Sequence, residues 1–168
     1  MNTMPRFLCD EMLGHLCHYL RAAGYDTLLA REGASDAELL QQCHAEGRQF
    51  LTQDMLVREH NAARDIALIL PPVELDQLIA LLNERYQLDW LSHAFTRCLV
   101  DNTLLVAADE AALARTPADV LSSGEPIYHC PTCNRIYWRG SHHKRMHERL
   151  AAWQAAKVSP LPHSPMEA

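Results

Sequence analysis

Short apolar segments alternate with amphipathic helical segments over the first 90 residues, and this alternation constrains the fold more than any other feature. The segments predicted as strands span residues 7–9, 27–29, 49–52 and 66–70. Between them, apolar residues recur at helical spacing, as they do at Leu13, Leu16, Cys17 and Leu20. This order favours right-handed βαβ units and a parallel sheet covered by helices. We therefore predict a three-layer α/β/α domain with a central parallel sheet over residues 5–90.

Local signals place several element boundaries. Ser35 and Glu38 have capping-box spacing, which predicts a helix that begins there and ends before Gly47. Gly24 is predicted to end the helix that precedes this one in the sequence. A short polar helix is predicted after Asp54. The run 66–70 is apolar throughout and stops at two prolines, which is typical of a fully buried strand.

The pattern changes after residue 90. Proline and glycine become frequent, two cysteines lie close together, and the apolar periodicity is interrupted. We predict a second, small module over residues 91–153. The last segment, 154–168, contains three prolines and few apolar residues, and we predict that it is disordered.

Charge and cysteine content narrow the class of protein. The formal net charge is −6, which excludes a protein held to nucleic acid by bulk positive charge. The charge is divided unevenly, since residues 1–90 sum to −7 and residues 91–168 to +1. No apolar run is long enough to span a bilayer. Only two of the six cysteines lie close together in the sequence, which does not indicate a disulfide framework. The sequence predicts a soluble cytoplasmic protein without a membrane partner, and it leaves the oligomeric state open.

Acidic residues follow the predicted strands. Asp10 and Glu11 come directly after the first strand, Asp36 begins the second helix, and Asp54 follows the third strand. The carboxyl ends of parallel strands meet at one edge of a sheet, so these carboxylates are expected to converge. A hard divalent cation such as Mg²⁺ or Mn²⁺ offsets their mutual repulsion and supports phosphodiester hydrolysis.

Each acid also has a purely structural interpretation. Asp36 complements the dipole of its helix, and Asp54 has the position of an N-cap. Glu11 is compatible with a solvated surface position, and Asp10 with a second cap. Spacing alone does not decide between these interpretations and a metal site.

Several stretches together resemble one nuclease family. They are residues 7–16 (FLCDEMLGHL), residues 19–27 (YLRAAGYDT), Asp36 with Leu39 and Leu40, residues 47–54 (GRQFLTQD) and residues 130–142 (CPTCNRIYWRGSH). In this order they resemble the Mut7-C RNase family, a branch of the PIN-like nucleases, over about residues 5–150. The resemblance implies a PIN-like fold, metal-dependent ribonuclease activity, and Asp10, Asp36 and Asp54 as the catalytic and metal-binding acids.

One acid of the nuclease pattern is displaced. PIN nucleases often use a fourth acid after a later strand, but here Glu74 and Asp76 lie in the helix that follows it. Glu11 is the predicted substitute, and we include it among the catalytic residues.

The cysteines of the second module predict a zinc site. Cys130 and Cys133 form a knuckle that donates two thiolates, and Cys98 supplies a third. Asp101 stands where the family pattern has a cysteine, and zinc accepts a carboxylate oxygen at a similar distance, so a Cys₃Asp site is predicted. The alternatives are a histidine as fourth ligand (His129, His142 or His143), a ribbon without zinc, or a redox pair formed by the two close cysteines.

The sequence after the knuckle is basic. Residues 134–153 contain five lysines and arginines against one acid. Aromatic side chains beside cationic ones favour single-stranded RNA. The residues predicted to bind RNA are Arg135, Tyr137, Trp138, Arg139, His142, Lys144 and Arg145. The alternative is a solvated basic helix that Leu150 and Trp153 anchor to the core.

The leading functional hypothesis is a metal-dependent ribonuclease whose basic zinc ribbon assists RNA binding. The first alternative is a non-catalytic RNA- or ribosome-binding protein with a degenerate nuclease site. The second is an interaction protein that uses the zinc knuckle only as a scaffold.

Overall fold

The computed structural model describes residues 3–158. Its larger sheet contains four parallel strands in the order β2-β1-β3-β4. The strands are β1 (Phe7–Cys9), β2 (Thr27–Leu29), β3 (Gln49–Thr52) and β4 (Ala67–Ile69). The predicted parallel sheet is therefore confirmed, and β1 and β3 are its two inner strands.

Helices follow β1, β2 and β4 at the predicted places. They are α1 (Gly14–Ala22), α2 (Asp36–Glu46) and α3 (Leu75–Tyr86), and three short 3-10 helices span Glu11–Leu13, Met55–Glu59 and Asn61–Ala63. The capping box of Ser35 and Glu38 is formed. Gly47 ends α2 with a φ of 66°, in the left-handed region that glycine adopts without strain.

The inner strands bury side chains on both faces of the sheet. Phe7, Cys9 and Leu51 belong to one core with residues of α1 and α3. Leu8 and Phe50 belong to a second core with residues of α2. Because successive residues of a strand point to opposite faces, this alternation places helices on either side of the sheet. The result is three layers.

Strand β4 differs from the prediction. Its apolar sequence favours a fully buried strand, but Ala67, Leu68 and Ile69 are each only partly buried. The reason is its position, because β4 is an edge strand that pairs on one side only, with β3. Apolar composition does not distinguish an inner strand from an edge strand.

Between residues 91 and 158, the chain forms a small antiparallel sheet and three helices. Its strands are β5 (Val106–Ala107), β6 (Tyr128–His129) and β7 (Ile136–Tyr137), in that order. Its helices are α4 (Glu110–Ala114), α5 (Ala118–Ser122) and α6 (Ser141–Val158). Within residues 3–158, no helix has the length and apolar composition to cross a membrane.

Helix α6 packs against the first domain. Leu150 and Trp153 are buried in the same core as Tyr19 and Trp90, and the Trp153 ring meets both rings edge to face, at centroid distances of 5.0 Å and 5.2 Å. Sequence analysis anticipated this anchoring only as the alternative to RNA binding.

The predicted disordered tail begins at Gln154, but α6 continues to Val158. Gln154 has a partner in the first domain, since its Oε1 accepts a hydrogen bond from the Trp90 backbone N–H at 2.9 Å. The start of the tail was therefore predicted too early. The rest of that segment, 159–168, lies outside the described residues.

Candidate active site and metal site

Asp10 lies at the carboxyl end of β1 and is held by two hydrogen bonds. Its Oδ1 accepts from the backbone N–H of Glu11 at 2.9 Å. Its Oδ2 accepts from the Thr52 hydroxyl at 2.8 Å. Asp10 thus serves as the N-cap that sequence analysis considered, and its carboxylate also binds a residue of the neighbouring strand.

Asp54 is tied to the same threonine. Its backbone N–H donates to Thr52 Oγ1 at 3.0 Å, and its side chain caps the next 3-10 helix by accepting from the Leu56 N–H at 2.9 Å. The fully buried Thr52 therefore joins the segments that carry Asp10 and Asp54. Sequence analysis missed this role, and the only available signal was a hydroxyl residue at the carboxyl end of an apolar strand.

Asp36 approaches from α2, on the same edge of the sheet. Burial raises the pKa of this carboxyl, and the negative charges of Asp54 and Asp10 raise it further, while His60 acts in the opposite direction. Asp36 is the first residue of α2, which follows the carboxyl end of β2, so it lies at the same edge of the parallel sheet as Asp10 and Asp54. The structure thus brings Asp10, Asp36 and Asp54 to one edge, although within residues 3–158 their oxygens do not all approach to within 4.8 Å.

The other acids that sequence analysis considered for the nuclease site have different surroundings. Glu11 is exposed in the 3-10 helix directly after Asp10. Glu74 is the N-cap of α3 and forms a capping box with Gln77. Asp76 accepts from the Trp153 indole N–H at 2.9 Å, so it holds α6 against α3. Both acids of the α3 segment therefore have structural partners.

The edge is suited to a hard divalent cation. Its three carboxylates are partly buried or exposed, and among the described residues none of them forms an ion pair with a lysine, arginine or histidine. Oxygen ligands of this kind are the ones that Mg²⁺ and Mn²⁺ prefer. Metal binding would relieve the repulsion between them.

A second constellation lies in the C-terminal module. One ligand atom from each of Cys98, Asp101, Cys130 and Cys133 lies within 4.8 Å of the others. Cys98 Sγ is 3.6 Å from Cys133 Sγ, and Cys130 Sγ is 3.3 Å from Asp101 Oδ2. A tetrahedral zinc ion with Zn–S bonds of about 2.3 Å separates its sulfur ligands by roughly 3.8 Å. The cluster can therefore bind a metal such as zinc with little movement.

The histidines considered as fourth ligands face other groups. His129 Nε2 lies 3.9 Å from Asp109 Oδ2, the His142 ring is 6.3 Å from the His18 ring, and the His143 ring lies 3.9 Å from that of Phe95. The Asp101 carboxylate does lie in the cluster. Its orientation is held by the Thr103 N–H, which donates to Asp101 Oδ1 at 3.0 Å.

The loop that carries Asp101 is fastened to the first domain. Asn102 Oδ1 accepts from the Thr27 N–H at 2.9 Å, and its Nδ2 donates to Asp26 Oδ1 at 2.7 Å. The Arg97 Nε donates to the Gly24 carbonyl at 3.2 Å. The segment that carries Cys98 and Asp101 is thereby attached to the edge strand β2 and to the residues just before it.

The predicted RNA-binding residues fall into two groups. Tyr137 is partly buried, and its hydroxyl lies 3.1 Å from Cys98 Sγ and accepts from the Leu99 N–H at 3.1 Å. This ring therefore supports the metal cluster. The others are exposed side chains, namely Arg135, Trp138, Arg139, His142, Lys144 and Arg145. Arg139 lies 3.9 Å from the carboxylate of Glu125.

Fold and site together define an α/β protein with an acidic edge and a cysteine cluster able to hold a metal. The chain belongs to the Mut7-C RNAse domain family, whose model matches residues 5–150. This match confirms the resemblance read from the sequence, and it indicates a ribonuclease-type function with RNA as substrate. Comparison with curated proteins and with solved structures gave no significant match.

Proposed function

We propose that this chain is a metal-dependent ribonuclease that hydrolyses RNA phosphodiester bonds, with a PIN-like domain over residues 5–90 and a zinc-ribbon module over residues 91–153. The observation that carries the proposal is the approach of Asp10, Asp36 and Asp54 at the carboxyl edge of a parallel sheet. The Thr52 hydroxyl joins two of them, since it donates to Asp10 Oδ2 and accepts from the Asp54 N–H. Ligand and catalytic sites of such sheets gather at this edge.

The three aspartates would hold Mg²⁺ or Mn²⁺, with Glu11 as the nearby fourth carboxylate. Such an ion supplies an activated water and neutralises charge on the phosphodiester. Thr52 and the Glu11 N–H orient the Asp10 carboxylate by donating to Oδ2 and to Oδ1, and each oxygen keeps a second lone pair for a metal. The backbone N–H of Leu56 orients Asp54 in the same way.

In this proposal the cysteine cluster holds zinc in a structural role. Cys98, Asp101, Cys130 and Cys133 would complete a closed tetrahedral sphere, which is the arrangement of structural rather than catalytic zinc. All six cysteines are free thiols, which suits a zinc-binding protein of the reducing cytoplasm.

The basic surface beyond the knuckle would hold single-stranded RNA. Arg135, Lys144 and Arg145 are exposed and offer phosphate contacts, and the exposed ring of Trp138 offers a face on which a base can stack. This surface would counter the repulsion between the acidic edge and the RNA backbone.

The test is cleavage of a labelled single-stranded RNA by the purified protein with Mg²⁺, with Mn²⁺, or with neither ion added. Asp10→Asn and Asp54→Asn should abolish metal-dependent cleavage while the protein stays folded. Asp119→Asn, a change of the same kind at an exposed site in α5, should leave the rate unaltered. Cleavage that survives in Asp10→Asn would contradict the proposed site.

One observation favours a second function, a non-catalytic RNA- or ribosome-binding protein. Glu74 caps α3 and Asp76 holds α6, so neither is available as the fourth acid of a nuclease site. This function predicts RNA binding that weakens steeply with salt, and no cleavage with either ion.

A further inference from the structure

A cleft of about 360 Å³ lies on the α2 side of the sheet, beside edge strand β4. Its polar lining consists of Arg58, His60, Asn61 and Arg64, and its floor is β4. No lining residue is acidic. The cleft thus differs in charge from residues 1–90 as a whole, which carry a net charge of −7.

The two arginines of the cleft have no acidic partner. Among the described residues, no carboxylate oxygen lies within 4.0 Å of a guanidinium nitrogen of Arg58 or Arg64. Their acidic sequence neighbours, Glu59 and Asp65, do not line the cleft. Two exposed guanidinium groups with free donors form a site for an anion, above all for phosphate.

The cleft adjoins the acidic edge. Ile69, in its floor, is the register partner of Thr52, whose hydroxyl binds Asp10. Between the lining residues Asn61 and Ala63, the carbonyl of Ala62 lies 2.9 Å from His44 Nε2 on α2, the helix that begins with Asp36. These contacts hold the wall at a fixed position relative to the carboxylates.

The cleft and helix α6 lie on opposite faces of the sheet. Val57 and Ala63, from the two 3-10 helices of the cleft wall, are buried in the core with α2. Leu150 and Trp153 of α6 are buried in the other core, with α1 and α3. An RNA strand that crosses the acidic edge would therefore meet positive groups on both sides of it.

We propose that Arg58, His60, Asn61 and Arg64 form a phosphate-binding site for the single-stranded RNA that the enzyme cleaves, on the face of the sheet away from the zinc ribbon. This inference rests on the proposed ribonuclease function. The two arginines bind phosphate oxygens of one segment of the strand and place the next phosphodiester over the carboxylates. Asn61 and His60 add further hydrogen-bonding groups within the same cleft.

The experiment measures the affinity of a labelled single-stranded RNA at several KCl concentrations by fluorescence anisotropy. No Mg²⁺ or Mn²⁺ is added, no chelator is used, so that bound zinc stays, and a gel verifies that the probe is intact. The Arg58→Ala/Arg64→Ala variant should bind more weakly, and the slope of log affinity against log salt should fall by about 1.4, at about 0.7 per lost phosphate contact.

Two variants serve as controls. Arg58→Lys/Arg64→Lys keeps both charges and should retain the slope. Arg85→Ala removes an exposed arginine near the end of α3, which runs back to the opposite edge of the sheet, and it should bind like the wild type. An unchanged slope in the double alanine variant would overturn the inference.

The cleavage assay separates this inference from the function on which it rests. Metal-dependent cleavage together with an unchanged slope in the double alanine variant would retain the ribonuclease and reject the cleft. A reduced slope without cleavage under either ion would retain the phosphate site and reject the catalytic function.

Discussion

The guanidinium of Arg21 donates from Nη1 to the carbonyl of Val100 at 2.9 Å, and so connects helix α1 to the loop of the metal cluster. The same nitrogen donates to the Leu99 carbonyl at 3.2 Å, and Nε donates to the Thr27 carbonyl at 2.8 Å. Arg21 is buried, and Asp101 follows Val100 directly. Helix α1 thus holds the segment that precedes Asp101 in the cysteine cluster.

We expect Arg21→Ala to destabilise the zinc-loaded protein by about 2 kcal/mol, because three carbonyls lose a charged donor. Urea denaturation followed by tryptophan fluorescence measures the change. Zinc should also be lost more readily to a competing chelator. Arg31→Ala, at an exposed position, should have no measurable effect, and equal effects of the two changes would contradict the proposed connection.

In the proposed zinc site, Asp101 would set the affinity for the metal. We expect Asp101→Cys to raise the affinity at least about tenfold, since zinc binds a soft thiolate more strongly than a carboxylate. Asp101→Ala should lower it, while Asp119→Ala should not. Competition with a chromophoric chelator gives the affinities of the wild type and of the three variants. An Asp101→Ala variant that binds zinc like the wild type would exclude the aspartate as a ligand.

Thr52 acts through the carboxylate it holds. We expect Thr52→Val to slow metal-dependent cleavage by roughly tenfold, the equivalent of about 1.4 kcal/mol for a lost hydrogen bond that orients Asp10. Thr52→Ser keeps the hydroxyl and should restore most of the rate. The measurement is the cleavage rate at saturating Mn²⁺. A serine variant as slow as the valine variant would show that Thr52 acts through its packing and not through the hydrogen bond to Asp10.

Acid stability depends on Asp26. Burial raises the pKa of this carboxyl, but hydrogen bonds from Arg48, Asn102 and Arg6 outweigh it and hold the pKa below the ordinary value of 3.8. A depressed carboxyl pKa contributes stability above pH 3.8 that is lost as the pH falls toward the folded value.

Asp26→Asn should therefore lower the Tm at pH 7 and flatten its fall below pH 3.8. Thermal unfolding of both proteins between pH 7 and pH 2 shows the difference directly. Asp119→Asn should follow the wild-type curve. Parallel curves for Asp26→Asn and the wild type would mean that this carboxyl has the same pKa in the folded and unfolded states.

Trp153 tests the attachment of α6 to the first domain. We expect Trp153→Phe to cost about 1 kcal/mol for the hydrogen bond to Asp76, and Trp153→Ala to cost about 3–5 kcal/mol for the lost buried ring. Denaturant midpoints provide both values. A single transition in each variant would show that the helix and the first domain unfold together.

Much of the fold was predictable because its signals are local. The four strands and the helices α1 to α3 follow from apolar periodicity, a capping box and terminal glycines, each of which extends over only a few residues. The approach of Asp10, Asp36 and Asp54 was also predictable, since parallel strands place their carboxyl ends at one edge of the sheet.

What the sequence left open was decided by contacts between distant segments. Thr52 and Asp10 are 42 positions apart, Arg21 and Val100 are 79 apart, and both pairs meet only when the sheet and loops have packed. The same packing selects Asp101 among the possible ligands and joins α6 to the first core. Backbone periodicity encodes the elements within a few residues, whereas the partners of a side chain depend on how the elements pack against one another.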